Sequence, residues 1–154
     1  MQKIKKPVQL IFLSCLIFIV GYYRELFFLV INSVIENSPY VYNVSYVKVP
    51  DLLYQLSNSF LINIKWGLTF LFSFTLMCLA IFCVKLFFNS KKNSKLIVII
   101  YLSICFLAVL LYLIGLLFNV LPIIYPISRY LIGLPQSPLL VLLVFSIIYI
   151  REKI

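Results

Sequence analysis

The chain has 154 residues, of which 64% are hydrophobic and 11% charged, with a formal net charge of +9. A soluble domain is about half apolar and about a quarter charged, and one this small leaves a large share of its surface exposed, so the composition excludes a water-soluble fold. The positive charge does not indicate nucleic acid, because the basic residues stand at the ends of apolar runs and not on a groove-sized patch.

The N-terminus, basic to Lys6 and then apolar, superficially resembles a secretory signal, and Phe12-Leu13-Ser14-Cys15 resembles a lipoprotein cleavage box. The apolar run before Cys15 is very short, Leu16–Val20 continues it, and no small-x-small site follows. An uncleaved first span over residues 7–23 is therefore expected, opened by Pro7 and closed by Tyr22 and Tyr23 at an interface. Arg24 and Glu25 interrupt the run before Leu26–Ile31 resumes it. At 100° per residue, Glu25, Leu29, Asn32, Ser33 and Glu36 share one side, as in a helix on the membrane surface or a leaning continuation of span one. Asn37-Ser38-Pro39 ends it. Tyr40–Val49 reads as extended chain or a short hairpin, and a short helix follows with Asp51 as N-cap candidate.

Span two is expected over residues 60–88, with Lys65 about one turn inside its start, where its stem lets the ammonium reach the headgroups. Residues 89–95 read as a loop, residues 96–118 as an uncharged third span, and residues 119–130 as a turn with Pro122 and Pro126. Span four, residues 130–150, is interrupted by Gly133, Pro135 and Pro138. Its clean part reaches only about 20 Å against a hydrocarbon core of about 30 Å, so the preceding residues must enter as a kinked helix or a buried re-entrant turn. The two prolines are expected to free the carbonyls of Leu131 and Leu134, with Gln136, Ser137 or a nearby cation as replacement donors.

The expected fold is all-α: a single-domain integral membrane four-helix bundle with an interfacial helix and a short extended outer segment, residues 24–59 in all. Lysine and arginine counting orients it. The two termini and residues 85–95 carry nine of the thirteen basic residues and should be cytoplasmic; the other side carries Arg24, Lys48, Lys65 and Arg129 with three of the four acids. Anionic membrane lipids are the expected partners of the cationic ends.

Chemistry is sparse. Cys15, Cys78, Cys83 and Cys105 all lie in apolar runs, without a C-x-x-C pair or any histidine, so they read as small hydrophobes; no metal, cofactor or catalytic residue is expected. Asn43-Val44-Ser45 matches a glycosylation sequon, a short motif common by chance. The informative residues are polar ones at similar depth: Arg24 and Glu25 ending span one, Asn63 and Lys65 opening span two, and Arg129 with Gln136 around the break in span four. Charge at membrane depth is costly and tends to be paired or to face a cavity. One reading is an outward-facing pocket in which Glu25 pairs with a cation and Arg129 is left for an anionic group; the other is interfacial anchoring by snorkelling side chains.

Two stretches carry a resemblance: Tyr23-Arg24-Glu25-Leu26-Phe27 at the end of the first span, and Arg129-Tyr130-Leu131-Ile132 ahead of Pro138-Leu139-Leu140 and a closing apolar helix. With the length and four-span pattern, they resemble the exosortase F system-associated proteins, small bacterial membrane proteins encoded beside an exosortase. That family has an aromatic between the arginine and the acid and a later Tyr-Asp-Pro stretch; both are missing here, as a sister family would have it. The resemblance implies a bacterial inner-membrane location and an accessory role near a protein-sorting protease, with no catalytic residues. The expected function is thus a non-enzymatic accessory protein or complex subunit that meets another membrane protein through residues 25–59. The alternative is a small transporter or channel subunit that oligomerises and uses the outer cations.

Overall fold

The computed structural model describes residues 2–41, 44–88 and 90–153, with side chains over 8–41, 47–88 and 90–152. Five helices and two short strands follow one another: α1 (Gln2–Ile35), β1 (Tyr40–Val41), β2 (Val44–Lys48), a 3-10 helix (Asp51–Gln55), α2 (Asn58–Phe88), α3 (Lys91–Leu117), α4 (Leu121–Gly133), a 3-10 turn (Leu134–Gln136) and α5 (Pro138–Lys153). Among the described residues the fold is all-α apart from these two strands. Val8–Ile35 of α1, α2 and α3 are each long and apolar enough to cross a membrane. Leu121–Gln136 and Pro138–Glu152 pass the same test only together, bent by 66° at their junction. The outward surface is apolar: Phe70, Phe106 and Leu117 are 70%, 69% and 78% exposed. A bilayer tolerates such a surface and water does not.

Helix α1 runs unbroken through Arg24 and Glu25 to Ile35, so residues 25–35 continue the first helix and no separate surface helix forms there. Arginine and glutamate are good helix formers, and Gly21, three residues before Arg24, costs a helix interior only about 1 kcal/mol. The stop comes at Asn37, in the left-handed region at φ 53°. There Asn37 N–H reaches Val34 O (3.0 Å) and Ser38 N–H reaches Ser33 O (2.8 Å), a Schellman arrangement followed by Pro39. The end of α3 repeats it. Asn119 has φ 55°, Asn119 N–H donates to Leu116 O (3.4 Å), Val120 N–H to Gly115 O (3.1 Å), and Pro122 follows.

Between α1 and α2, β1 and β2 pair antiparallel with Tyr40 opposite Lys48 and Val41 opposite Val44, as the alternation suggests. Tyr42 and Asn43, and with Asn43 the acceptor of the sequon, lie outside the described residues. Asp51 is the first residue of the 3-10 helix and not its cap; Pro50 holds the cap position, without a side-chain bond. The Tyr54 hydroxyl donates to Ser38 O, tying this helix to the end of α1. Ile31, Val34, Val41, Val49 and Leu61 form a small buried cluster beneath the hairpin.

Helix α2 is central, packing on α1, α3 and α5. The main core joins Ile17 of α1, Leu76 and Val84 of α2, Ile97 of α3 and Val144 and Ile148 of α5. At the end away from the hairpin, Phe87, Phe88, Phe145 and Tyr149 stack together, and buried Asn93 donates from Nδ2 to Glu152 Oε1 at 2.8 Å.

Two connections differ from the sequence expectation. Lys91–Lys95 belong to the first turn and a half of α3 and not to a loop, because Ser90 caps the helix, accepting at Oγ from Asn93 N–H at 3.4 Å. Residues 121–130 form most of α4 and not a turn. Pro122 occupies the first turn, where its missing N–H costs nothing, and Pro126 removes one bond just beyond it. Helix α4 folds back along α3: Gly115 meets Leu121 and Ile124, and Ser128 Oγ donates to Ala108 O at 2.8 Å.

The interruption falls where the prolines put it. Gly133 ends α4, Pro135 lies in the 3-10 turn and Pro138 starts α5. Leu131 O accepts from Leu134 N–H, and Leu134 O accepts from the N–H and hydroxyl of Ser137 at 3.0 and 2.9 Å. Gln136 Nε2 satisfies a third carbonyl, Ile132 O, at 2.7 Å. Each helix end is thus closed by its own neighbours.

Candidate functional site

Beneath the hairpin, α1, α2 and α4 diverge around a cavity of about 440 Å³, floored by the 3-10 turn. Arg24 projects from α1. Its Nη1 pairs with Glu25 Oε2 at 2.7 Å, its Nε donates to Gln136 Oε1 at 3.4 Å, and its guanidinium lies 5.1 Å from the Phe28 ring centre. Glu25 is 60% exposed, so the pair itself adds little stability. Gln136 is buried; with its amide N–H on Ile132 O and its oxygen facing Arg24, it couples the helix break to the first helix. From α2, Lys65 donates from Nζ to Asn32 Oδ1 at 2.7 Å. Thr69 turns its hydroxyl back to Lys65 O at 2.8 Å. Arg129 comes from α4, is exposed, and has neither an ion pair nor a hydrogen bond among the described residues.

A second cavity of about 610 Å³ adjoins the first. It lies between α1, α4 and the start of α5, lined by Pro126, Tyr130, Leu134, Ser137 and Leu139. Arg24, Tyr125, Arg129 and Gly133 line both cavities and form the partition between them. Gly133 keeps that partition thin: a Cβ there would meet only the Arg24 Nη2, at 3.8 Å.

Five of the six polar residues expected at this depth therefore share one cavity: Arg24, Glu25, Lys65, Arg129 and Gln136. Asn63 does not. It stands two residues before Lys65, about 200° around α2, and is exposed away from the cavity. Of the break residues, Gly133 lines the site, Pro135 is buried under it, and Pro138 packs against Gly21 of α1. Sequence reasoning did not assign Asn32, Phe28, Trp66 or Tyr125 to the site. Asn32 carried a signal, since it lies seven residues from Glu25 on the same side of the helix; Tyr125 was hidden in a segment read as a turn.

Three cations and the Glu25 carboxylate line this cavity, and Glu36, outside the lining, acts on Lys65. Lys65 is held by a neutral amide, and Arg129 by nothing described. A guanidinium such as that of Arg129 is chemically able to bind two oxygens of an anion at once. The hydroxyls of Thr69 and Ser137, both at the cavities, donate to backbone carbonyls. Among the described residues, no three His, Cys, Asp or Glu side chains converge to hold a metal. No protein-family model, curated protein or solved structure matches the chain.

Proposed function

We propose that this chain is a four-crossing protein of the bacterial inner membrane, with both termini cytoplasmic, that acts as a non-enzymatic accessory protein or complex subunit. In this reading α1, α2, α3 and the broken α4–α5 pair are the four crossings of a bundle, and the hairpin end faces outward. The observation that carries it is the cleft lined by Arg24, Lys65 and Arg129, with Arg129 unpartnered among the described residues, which would take an anionic group at the outer face. The folded outer segment, with Tyr40 and Leu52 exposed, offers a partner an apolar contact beside that cleft. The exosortase-associated resemblance makes a membrane protein-sorting protease the first partner to seek, and an exosortase gene beside this one would support it. A tagged copy extracted from its own membranes in mild detergent should carry a stoichiometric membrane partner, held less firmly by the Arg129→Gln variant. Recovery as a lone monomer would overturn the reading.

One observation favours a second reading, an oligomeric transporter or channel subunit: the helix break and the cationic cleft coincide at Gln136, as in transporters that bind anions at broken helices. Proteoliposomes showing no anion flux, or flux indifferent to Arg129→Gln, would remove it.

A further inference from the structure

We propose that the two adjoining cavities are one site for an anionic amphiphile, a phospholipid-like molecule of the outer leaflet. Its headgroup would sit between Arg129, Lys65 and Arg24, and its chain would follow the groove between α1 and α4. The inference rests on the outward-facing anion site proposed above and names its ligand.

Charge gives the headgroup. The first cavity is lined by three cations and the Glu25 carboxylate, with Glu36 acting on Lys65 from outside the lining, and Arg129 stands on the shared wall without a described partner. Depth gives the solvent. Fourteen helical steps of α5 carry the chain from Pro138 to Glu152, about 21 Å along a helix, so the floor of the cleft lies short of the roughly 30 Å that spans a hydrocarbon core. Cations that line a cleft with its floor at that level favour a counter-charge that can itself enter the membrane. Shape gives the chain. The second cavity is walled by Pro126, Leu134 and Leu139, and Leu139 and Tyr130 pass directly onto the apolar outer surface, at 57% and 71% exposed. The 66° bend between α4 and α5 falls at Ser137, which lines this groove. A small water-borne anion would use the cationic cavity and leave the apolar groove without a role. A headed, tailed molecule uses both.

The test is native mass spectrometry of the full-length protein released from detergent, with phosphatidylglycerol, phosphatidylethanolamine and inorganic phosphate as probes. One phosphatidylglycerol per chain should survive activation that strips phosphatidylethanolamine. Arg129→Gln should lower that retention at least about tenfold, the size of one lost charge-assisted contact, whereas Lys48→Gln, which removes the same charge from the exposed hairpin, should not. Gly133→Leu has room for its Cβ and fills the junction of the cavities; it should release the lipid without preventing folding. Equal retention of the two lipids, or equal effects of Arg129→Gln and Lys48→Gln, would overturn the proposal. So would displacement of phosphatidylglycerol by millimolar phosphate with Gly133→Leu silent, which would mark a site for a water-borne anion. Lost lipid selectivity with partner capture intact would overturn this inference alone; loss of both would overturn the reading beneath it.

Discussion

Helix α1 meets the start of α5 at Gly21, and the same substitution at two glycines tests how tight that contact is. A Cβ built on Gly21 comes within 2.8 Å of Pro138 Cδ and closer still to Cγ, whereas one built on Gly67 of α2 meets nothing within 4 Å. Carbon atoms rest at about 3.5–4.0 Å, so Gly21→Ala must push the helices apart by roughly 1 Å. The Pro138 ring is fixed at the first turn of α5 and cannot rotate aside. Overpacking of this kind costs about 1–3 kcal/mol. Both substitutions exchange a mid-helix glycine for alanine, a gain of about 1 kcal/mol, so their difference isolates the packing cost. Gly67→Ala should stabilise by about 0.5–1 kcal/mol, and Gly21→Ala should fall below it by about 1–3 kcal/mol. Buried Cys83 supplies the readout: with Cys15, Cys78 and Cys105 replaced by alanine, its reaction with a thiol dye during denaturation in micelles reports unfolding. Equal stability of the two variants would refute the close approach of α1 and α5.

Gln136→Leu should destabilise by about 1–3 kcal/mol in the same assay, because it leaves Ile132 O without a donor and Arg24 Nε without an acceptor. Ser128→Ala removes the hydroxyl bond from α4 to α3 and should cost only about 0.6 kcal/mol, the usual size of such bonds between membrane helices. Asn93→Ala should cost about 1 kcal/mol by releasing Glu152, and should loosen the last turn of α5 in hydrogen exchange before the rest of the helix. Single cysteines at Lys48 and Lys92, in a background without the other four, should label from opposite sides of spheroplast membranes; labelling from the same side would refute the proposed orientation.

Composition and apolar run length alone determined the solvent, the all-α class, the three long helices and the place of the break. These are legible because they are local: a run of about 20 apolar residues fixes a span, and a proline acts on the carbonyl four residues back. Depth was legible for the same reason, since residues at equal distances along their helices lie at equal levels, and Arg24, Lys65, Arg129 and Gln136 were found together on that ground. Azimuth was not. Helices α2 and α3 are apolar on every side, so nothing in their sequence says which way they rotate, and Asn63 and Lys65 looked alike until packing turned one outward and the other toward Asn32. The junction of Arg24 with Gln136, 112 residues away, likewise exists only because α4 folds back along α3 and returns the break to α1. Tertiary packing selects rotation, and rotation decides which polar side chains at one depth become a site.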